Sequence, residues 1–408
     1  MLSKSSKCSE LVQWLSLSAV TQIVQLAVVG LGHDSAAIVG LQYAEQWGRG
    51  LVPYRDFHPE YPPGALVLFY LPYIFSGNHL AHYRVASAVE SAIFQLLTVA
   101  LLWCVAKQLY SGSKARRWLV FVTFTAGSLC FSNLIHRRFD TVAAAFALAP
   151  FLWMSPWALS FLGAGIAIKL WPILLAPLAL WRLWTLNKLR GVVLGAGAMC
   201  LGGVLLSLPA LVTSGHHVID FLAYHRDRGV QVESVWAFVI FTGRALGLTN
   251  AEVVWEYGAD HVRGDWYSWI IPTSTWLLVG LVAAAYVSFL IRSRRNVPST
   301  IELFWASVAI LAGSLLSSKV FSPQFGLWIL PFLCVVSATG NRRQCAVTTG
   351  LTIVFCLLTA LIYKEFYVSI CRSEPVGLAV AALRMLVLVA IYAIALMQWT
   401  PRRWSSRT

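Results

Sequence analysis

Residues 345–363 read CAVTTGLTIVFCLLTALIY, a run without a formal charge, and Arg342-Arg343 stand just before it. A helix needs about 20 apolar residues to cross the hydrocarbon core of a bilayer. In that medium a helix also satisfies every backbone N–H and C=O from within. Runs of this kind recur from one end of the chain to the other, with basic clusters between them. The composition agrees: 58% of residues are hydrophobic and 12% charged, with a mean hydropathy of +0.69. Soluble domains hold roughly 45–50% apolar and about 25% charged residues. No stretch of soluble length separates the runs. The sequence therefore predicts an all-α polytopic membrane protein, with residues 1–408 forming a single integral membrane domain.

The net charge of +14 raises the question of nucleic acid, and its placement answers it. Basic residues come in short clusters between apolar runs, such as Lys114-Ala115-Arg116-Arg117 and Arg292-Ser293-Arg294-Arg295, the signature of cytoplasmic loops. A nucleic-acid reader carries a continuous basic face and a motif; this chain has neither, so no nucleic-acid partner is expected. Eight cysteines are scattered, most of them inside apolar runs, without CxxC or Cys/His ligand spacing. Neither a zinc site nor a disulfide framework follows. With no DxD pair present, no metal and no cofactor are expected. The first apolar stretch lacks an A-x-A-like cleavage site and reads as a retained span.

With Lys4 and Lys7 inside, a first span at 11–31 places residues 33–64 outside as a first outer loop. Residues 65–75 are too short to span, and a crossing there would put the 107–117 basic cluster on the wrong side. We therefore expect a re-entrant or interfacial helix on the outer side. Spans follow near 85–109, 118–133, 140–154, 157–168, 170–184 and 191–213. A second non-crossing piece lies near 235–246, inside a second large outer loop at 214–268. The last spans fall near 269–291, 300–316, 320–338, 345–363 and 376–399. This gives about 12 transmembrane helices plus two non-crossing helices, both termini cytoplasmic, in the cell (plasma) membrane. The clusters Arg182/Lys188/Arg190, Arg292/Arg294/Arg295, Arg342/Arg343 and Arg402/Arg403/Arg407 then all lie inside, while 14 of the 17 acidic residues lie at the outer face. Chemistry is expected on the extracytoplasmic side.

Five constellations there carry the candidates. Asp34 stands at the membrane boundary after the first span, where partial desolvation raises a carboxylate's pKa and fits it for general-base work. The plain alternative is a solvated aspartate at a helix end. The segment from Arg49 to Gly64 follows, with Tyr54, Asp56, Glu60 and Tyr61 held by a Tyr-Pro-Pro-Gly turn in which Pro fixes φ and Gly permits a sharp bend. Arg137-Arg138-Phe139-Asp140 invites an anion, or else pairs within itself or with lipid headgroups. Lys169 lies between two short spans, as a functional residue or a snorkelling one. The segment His225 to Ser234, with Arg226, Arg228, Gln231 and Glu233, is dense in charge as any solvated loop can be. Lys319, in Ser317-Ser318-Lys319-Val320-Phe321-Ser322-Pro323-Gln324, has polar neighbours between apolar spans. Six cations reaching one face (Arg137, Arg138, Lys169, Arg226, Arg228, Lys319) suit a phosphate at the outer leaflet, and a nearby carboxylate completes the minimum set for sugar transfer from a lipid phosphate. Tyr61, Trp171, Tyr224 and Trp236 fit sugar faces or an interfacial aromatic belt equally.

Asp34, then Gly50, Pro53-Tyr54-Arg55-Asp56-Phe57 and Glu60-Tyr61-Pro62-Pro63-Gly64 resemble the first outer loop of glycosyltransferase family 87. That family includes polyprenyl-phosphate-mannose-dependent phosphatidylinositol mannoside mannosyltransferases. The segments at 138–140, 169–172, 225–234 and 319–324 are similar to the family's as well, and in its order. The resemblance implies a GT-C-type fold and inverting transfer of a hexose, mannose by default, from a polyprenyl-phosphate sugar. The acceptor it implies is a lipid or glycan of the cell envelope, reached among membrane lipids. It implies Asp34 as the base, Asp56 and Glu60 as reserves, and Arg138, Lys169, Arg228 and Lys319 on the donor phosphate, with Arg137 and Arg226 as further phosphate candidates. Tyr54, Tyr61, His225, Gln231, Glu233 and Gln324 are the expected substrate contacts. Two rival readings use the same residues. One is a transporter or flippase for an anionic lipid or solute, which would favour internal repeats and mid-membrane charges, neither of which is evident. The other is an inactive scaffold of envelope assembly.

Overall fold

The computed structural model describes residues 4–30, 35–153, 155–294 and 297–397. His33, Asp34, Arg295, Arg402, Arg403 and Arg407 lie outside them. The described chain is mostly helical, and seven helices are long and apolar enough to cross a membrane: Ser9–Val29, Leu80–Leu109, Trp171–Ile219, Tyr267–Ser293, Thr300–Ser317, Arg342–Cys371 and Pro375–Met397. Five shorter apolar helices accompany them, at Pro63–Ser76, Asp140–Trp153, Pro156–Ile168, Val235–Ala245 and Pro323–Ser337. The two segments expected not to cross are the helices Pro63–Ser76 and Val235–Ala245. The protein is thus a multi-pass membrane protein.

The helices form two compact units. One holds residues Met1–Arg228 and Gln324–Cys345, the other Gly229–Pro323 and Ala346–Thr408. In the first unit, helix Gly326–Ser337 is the core: every residue of it except Trp328 is buried. A helix apolar on all sides belongs in a protein core or in lipid, and here the protein encloses it. Its end is fastened by the Tyr110 hydroxyl, which donates to the Val335 carbonyl at 2.7 Å, and by Arg116, which donates to the carbonyls of Ala338 and Gly340. The long helical run Ala176–Ser214 is broken at Lys188, whose φ of 53° lies in the left-handed region. There the chain folds back, so that Gly191 and Gly195 lie against Leu183. The expected turn between the 170–184 and 191–213 spans falls at this break.

In the second unit the enclosed helix is Thr300–Ser317, buried without interruption from Leu303 to Ser317. Ser299 and Glu302 close a capping box at its start, satisfying two otherwise orphan N–H donors. The expected span at 320–338 begins late, because residues 318–322 are irregular and Pro323 opens the next helical turn. An all-α reading also leaves out a small sheet. Strands β1 (Val230–Gln231), β2 (Ala251–Glu256) and β3 (Ala259–Gly264) pair antiparallel in the order β1-β3-β2. Tyr257 and Gly258, both at positive φ, make the two-residue turn between β2 and β3, as a tight hairpin requires. Val230 and Val262 pair on the buried side with Trp236, Ile240 and Phe241.

Small residues set the closest helix approach in the first unit. A Cβ at Gly163 would lie 1.8 Å from the Met199 carbonyl oxygen, and one at Gly202 only 1.9 Å from that of Ser160. Helices in lipid associate through such small-residue contacts. We expect Gly202→Val to destabilise the protein by at least about 1–3 kcal/mol, the usual cost of overpacking. Gly280→Ala, where nothing lies within 4 Å, should leave it unchanged. Thermal unfolding in detergent measures both.

Candidate active site

The loop before helix Pro63–Ser76 is built around Asp56. Its carboxylate accepts from the Val52 N–H at 2.8 Å and pairs with Arg55, while its own N–H donates to the Val52 carbonyl. These contacts hold the Asp56 carboxyl down at about 2, Arg55 foremost and then the Val52 N–H. Inside this small ring Tyr54 is forced to φ 66° yet is 2% exposed. Non-glycine residues take that conformation at a cost and mostly where the surroundings impose it. The Tyr54 hydroxyl then donates to the Tyr61 carbonyl at 2.8 Å, fixing the backbone beside Glu60.

Glu60 is the hub of the first unit's polar groups. It accepts from the Tyr224 hydroxyl at 2.6 Å. Its charge acts on Tyr43, Tyr61, Lys169 and His225 as well. Burial, with that charge adding to it, pushes the Tyr43 phenol up to about 12, so Tyr43 keeps its proton. Arg228 lies 5.9 Å from the centre of the Tyr224 ring. Arg138, whose Nε is buried without a hydrogen-bond partner among the described residues, acts on Tyr61 and Lys169.

Lys169 follows helix Leu159–Ile168 and turns its ammonium to Asp140. The same Asp140 oxygen accepts from the Trp328 indole N–H at 2.6 Å. The rings of Tyr61, Phe139, Phe325 and Trp328 surround the ammonium, with centroids 5.2 to 6.0 Å away. Two expected phosphate ligands point elsewhere. Arg137 donates to the Gly30 carbonyl at 3.2 Å, and Arg226 pairs with its neighbour Asp227 on an exposed surface.

The remaining candidates belong to the second unit, apart from Gln324, which is half-buried at the start of the first unit's core helix. Gln231 and the Ser322 hydroxyl exchange hydrogen bonds at 2.8 and 3.1 Å. Glu233 is buried, and burial pushes its carboxyl up to about 8 against the opposing charge of Arg384. Lys319 is half-buried in the irregular segment after helix Thr300–Ser317.

The sequence model of glycosyltransferase family 87 matches residues 57–323, well over half of the chain. The chain belongs to glycosyltransferase family 87. No curated protein matches it. The match makes the protein a glycosyltransferase, an enzyme that moves a sugar from a donor to an acceptor. It runs from just before Glu60 to just after Lys319 and takes in both the Glu60 hub and the Gln231–Ser322 pair; Asp34 and Asp56 precede it.

Several residues of this glycosyltransferase escaped the sequence reading. Asp140 was visible only as a possible partner of its neighbouring arginines, and Tyr224 only as an aromatic that could face a sugar. Nothing local marks Tyr43 or Trp328. Arg384 did carry a signal, as the lone charge in the apolar helix Pro375–Met397, where an ionisable residue is a functional candidate by default.

Three expectations follow. Tyr224→Phe removes a hydrogen bond to a carboxylate, worth roughly 1.5–3 kcal/mol, and should lower sugar transfer about tenfold or more. Asp56→Asn, whose oxygen still accepts from Val52, should keep most of the activity; assays on membranes with radiolabelled donor compare the two. Asp140→Asn leaves the buried Lys169 charge uncompensated and should cost about 3–5 kcal/mol, read as a lowered unfolding temperature in detergent.

Proposed function

We propose that the protein transfers a hexose, by default mannose, from a polyprenyl-phosphate sugar to a lipid or glycan acceptor on the extracytoplasmic side of the plasma membrane. The observation that carries this reading is the cluster around Glu60. There a carboxylate able to orient a hydroxyl acts on Lys169 and shares Tyr61 with Arg138 and Tyr224 with Arg228, cations that suit a phosphate. In this reading the fold is of GT-C type with about 12 crossings. Helices Pro63–Ser76 and Val235–Ala245 do not cross, and both termini are cytoplasmic.

The reaction is a single inverting displacement. Asp34 accepts the acceptor hydroxyl proton as that oxygen attacks the anomeric carbon. The bond from that carbon to the phosphate oxygen breaks, and polyprenyl phosphate departs with the bonding electron pair. Arg138, Lys169, Arg228 and Lys319 meet the growing negative charge, with Arg137 and Arg226 as outer attractors. Tyr54, Tyr61, His225, Gln231, Glu233 and Gln324 shape the substrate sites. Asp56 is engaged by its own loop, which leaves Glu60 as the reserve base. No metal is required, because fixed cations take the role a divalent ion would otherwise fill.

The test is sugar transfer in membranes from radiolabelled polyprenyl-phosphate sugars, comparing wild type with Asp34→Asn and Glu60→Gln. Asp34→Asn should lose about 10²–10⁴-fold in rate, the usual contribution of a general base. If Asp34→Asn equals wild type and Glu60→Gln is inactive, the base is Glu60. If folded wild type transfers nothing from any of several such donors, the donor class is wrong.

A further inference from the structure

Residues 318–322 have no regular structure, yet they are fastened at nearly every step. The Trp236 indole N–H donates to the Ser317 carbonyl at 2.7 Å, just ahead of them. The Gln231 N–H donates to the Lys319 carbonyl at 2.9 Å, and the Gln231 side chain holds the Ser322 hydroxyl. Phe321, 1% exposed, has the Arg384 guanidinium carbon 4.4 Å from its ring centre. The backbone of Lys319 is therefore fixed from both sides, while its side chain sits in a half-buried position.

Arg384 is the group that joins these fastenings. One edge of its guanidinium donates, through Nη2, to the Glu233 carbonyl, two residues past Gln231. Its guanidinium carbon lies over the ring of Phe321, two residues past Lys319. The Glu233 carboxylate lies close enough to act on its charge. A planar guanidinium can stack with its face and donate from its edge at once; a lysine ammonium is a point charge and cannot do both. Arg384 comes from helix Pro375–Met397, distant in sequence from both segments it holds, and it is 5% exposed. A charge kept inside an apolar helix is expensive, and here it locks two irregular segments together.

We propose that Arg384 is a positioning residue for Lys319, holding segments 231–233 and 319–322 in the one arrangement that aims the ammonium. The inference rests on the reading of Lys319 as a ligand of the donor phosphate. Arg384 touches no substrate and acts only through that loop.

A double-mutant cycle on the full-length protein tests it. Donor and acceptor KM and kcat are measured with a radiolabelled polyprenyl-phosphate sugar for wild type, Lys319→Met, Arg384→Met and the double variant. Each single change should raise the donor KM about tenfold and leave the acceptor KM alone. The double variant should be no worse than Lys319→Met, since groups acting as a unit are non-additive. Multiplying effects in the double variant, or an Arg384→Met that lowers kcat with the donor KM unmoved, would overturn the positioning role while the Lys319 reading stood. An unchanged donor KM in Lys319→Met would sink that reading, and the inference with it. Should Arg384→Met not fold, Arg384→Lys carries the same cycle, because it keeps the charge and loses the fork over Phe321.

Discussion

The site in the first unit depends on one carboxylate oxygen. Asp140 is 0% exposed, and a single oxygen of it takes both the Lys169 ammonium and the Trp328 indole N–H. A buried charge without a partner is among the costliest defects a fold can carry. The start of helix Asp140–Trp153, the end of helix Leu159–Ile168 and the core helix Gly326–Ser337 are therefore held in one relation. Trp328 is the one residue of that core helix left unburied, and its indole is spent on this contact and on stacking against Trp171 and Phe325. Phe139, next to Asp140, packs on Tyr61, so the same pair also supports the residue beside Glu60.

Both units use side chains to give irregular backbone a fixed course. In the first, the Asp56 ring strains Tyr54, and the Tyr54 hydroxyl secures the Tyr61 carbonyl. In the second, the Trp236 indole on the Ser317 carbonyl, the Gln231 N–H on the Lys319 carbonyl and side chain on Ser322, and Arg384 over Phe321 hold residues 317–322. Loops that carry chemistry next to a bilayer have unsatisfied backbone groups and little water to satisfy them. Side chains that bond to the backbone supply the missing partners and, in doing so, set where the charged groups point. This accounts for polar residues such as Gln231 and Ser322 being buried: they meet each other and the chain.

Lys169 illustrates how a residue's role is shared. As a free ammonium it would attract phosphate strongly, but Asp140 and four aromatic rings already engage it. Positive charge in this unit is therefore shared among Arg138, Arg228 and Lys169. Arg226 and Arg137, which spacing alone ranked beside them, are turned to Asp227 and to the Gly30 carbonyl.

What depends on local composition is legible in the order of residues. Helices such as Arg342–Leu361 and Pro375–Met397 are legible because crossing a bilayer demands an unbroken apolar run. The short helices at 65–75 and 235–246 are legible because they fall below that length, and the family motifs are legible because each is a contiguous string. The order of residues left out the sheet at 230–264, whose short strands carry no strong alternation. Which charges are shared is set by packing between distant parts of the chain. Glu60 meets Tyr224 across 164 residues, and Asp140 meets Lys169 across 29 and Trp328 across 188. Arg384 meets Glu233 across 151. Such partners are chosen by packing, because a buried polar group takes whichever complementary group the fold brings within about 3 Å, and nothing in the residues next to it in sequence says which that will be.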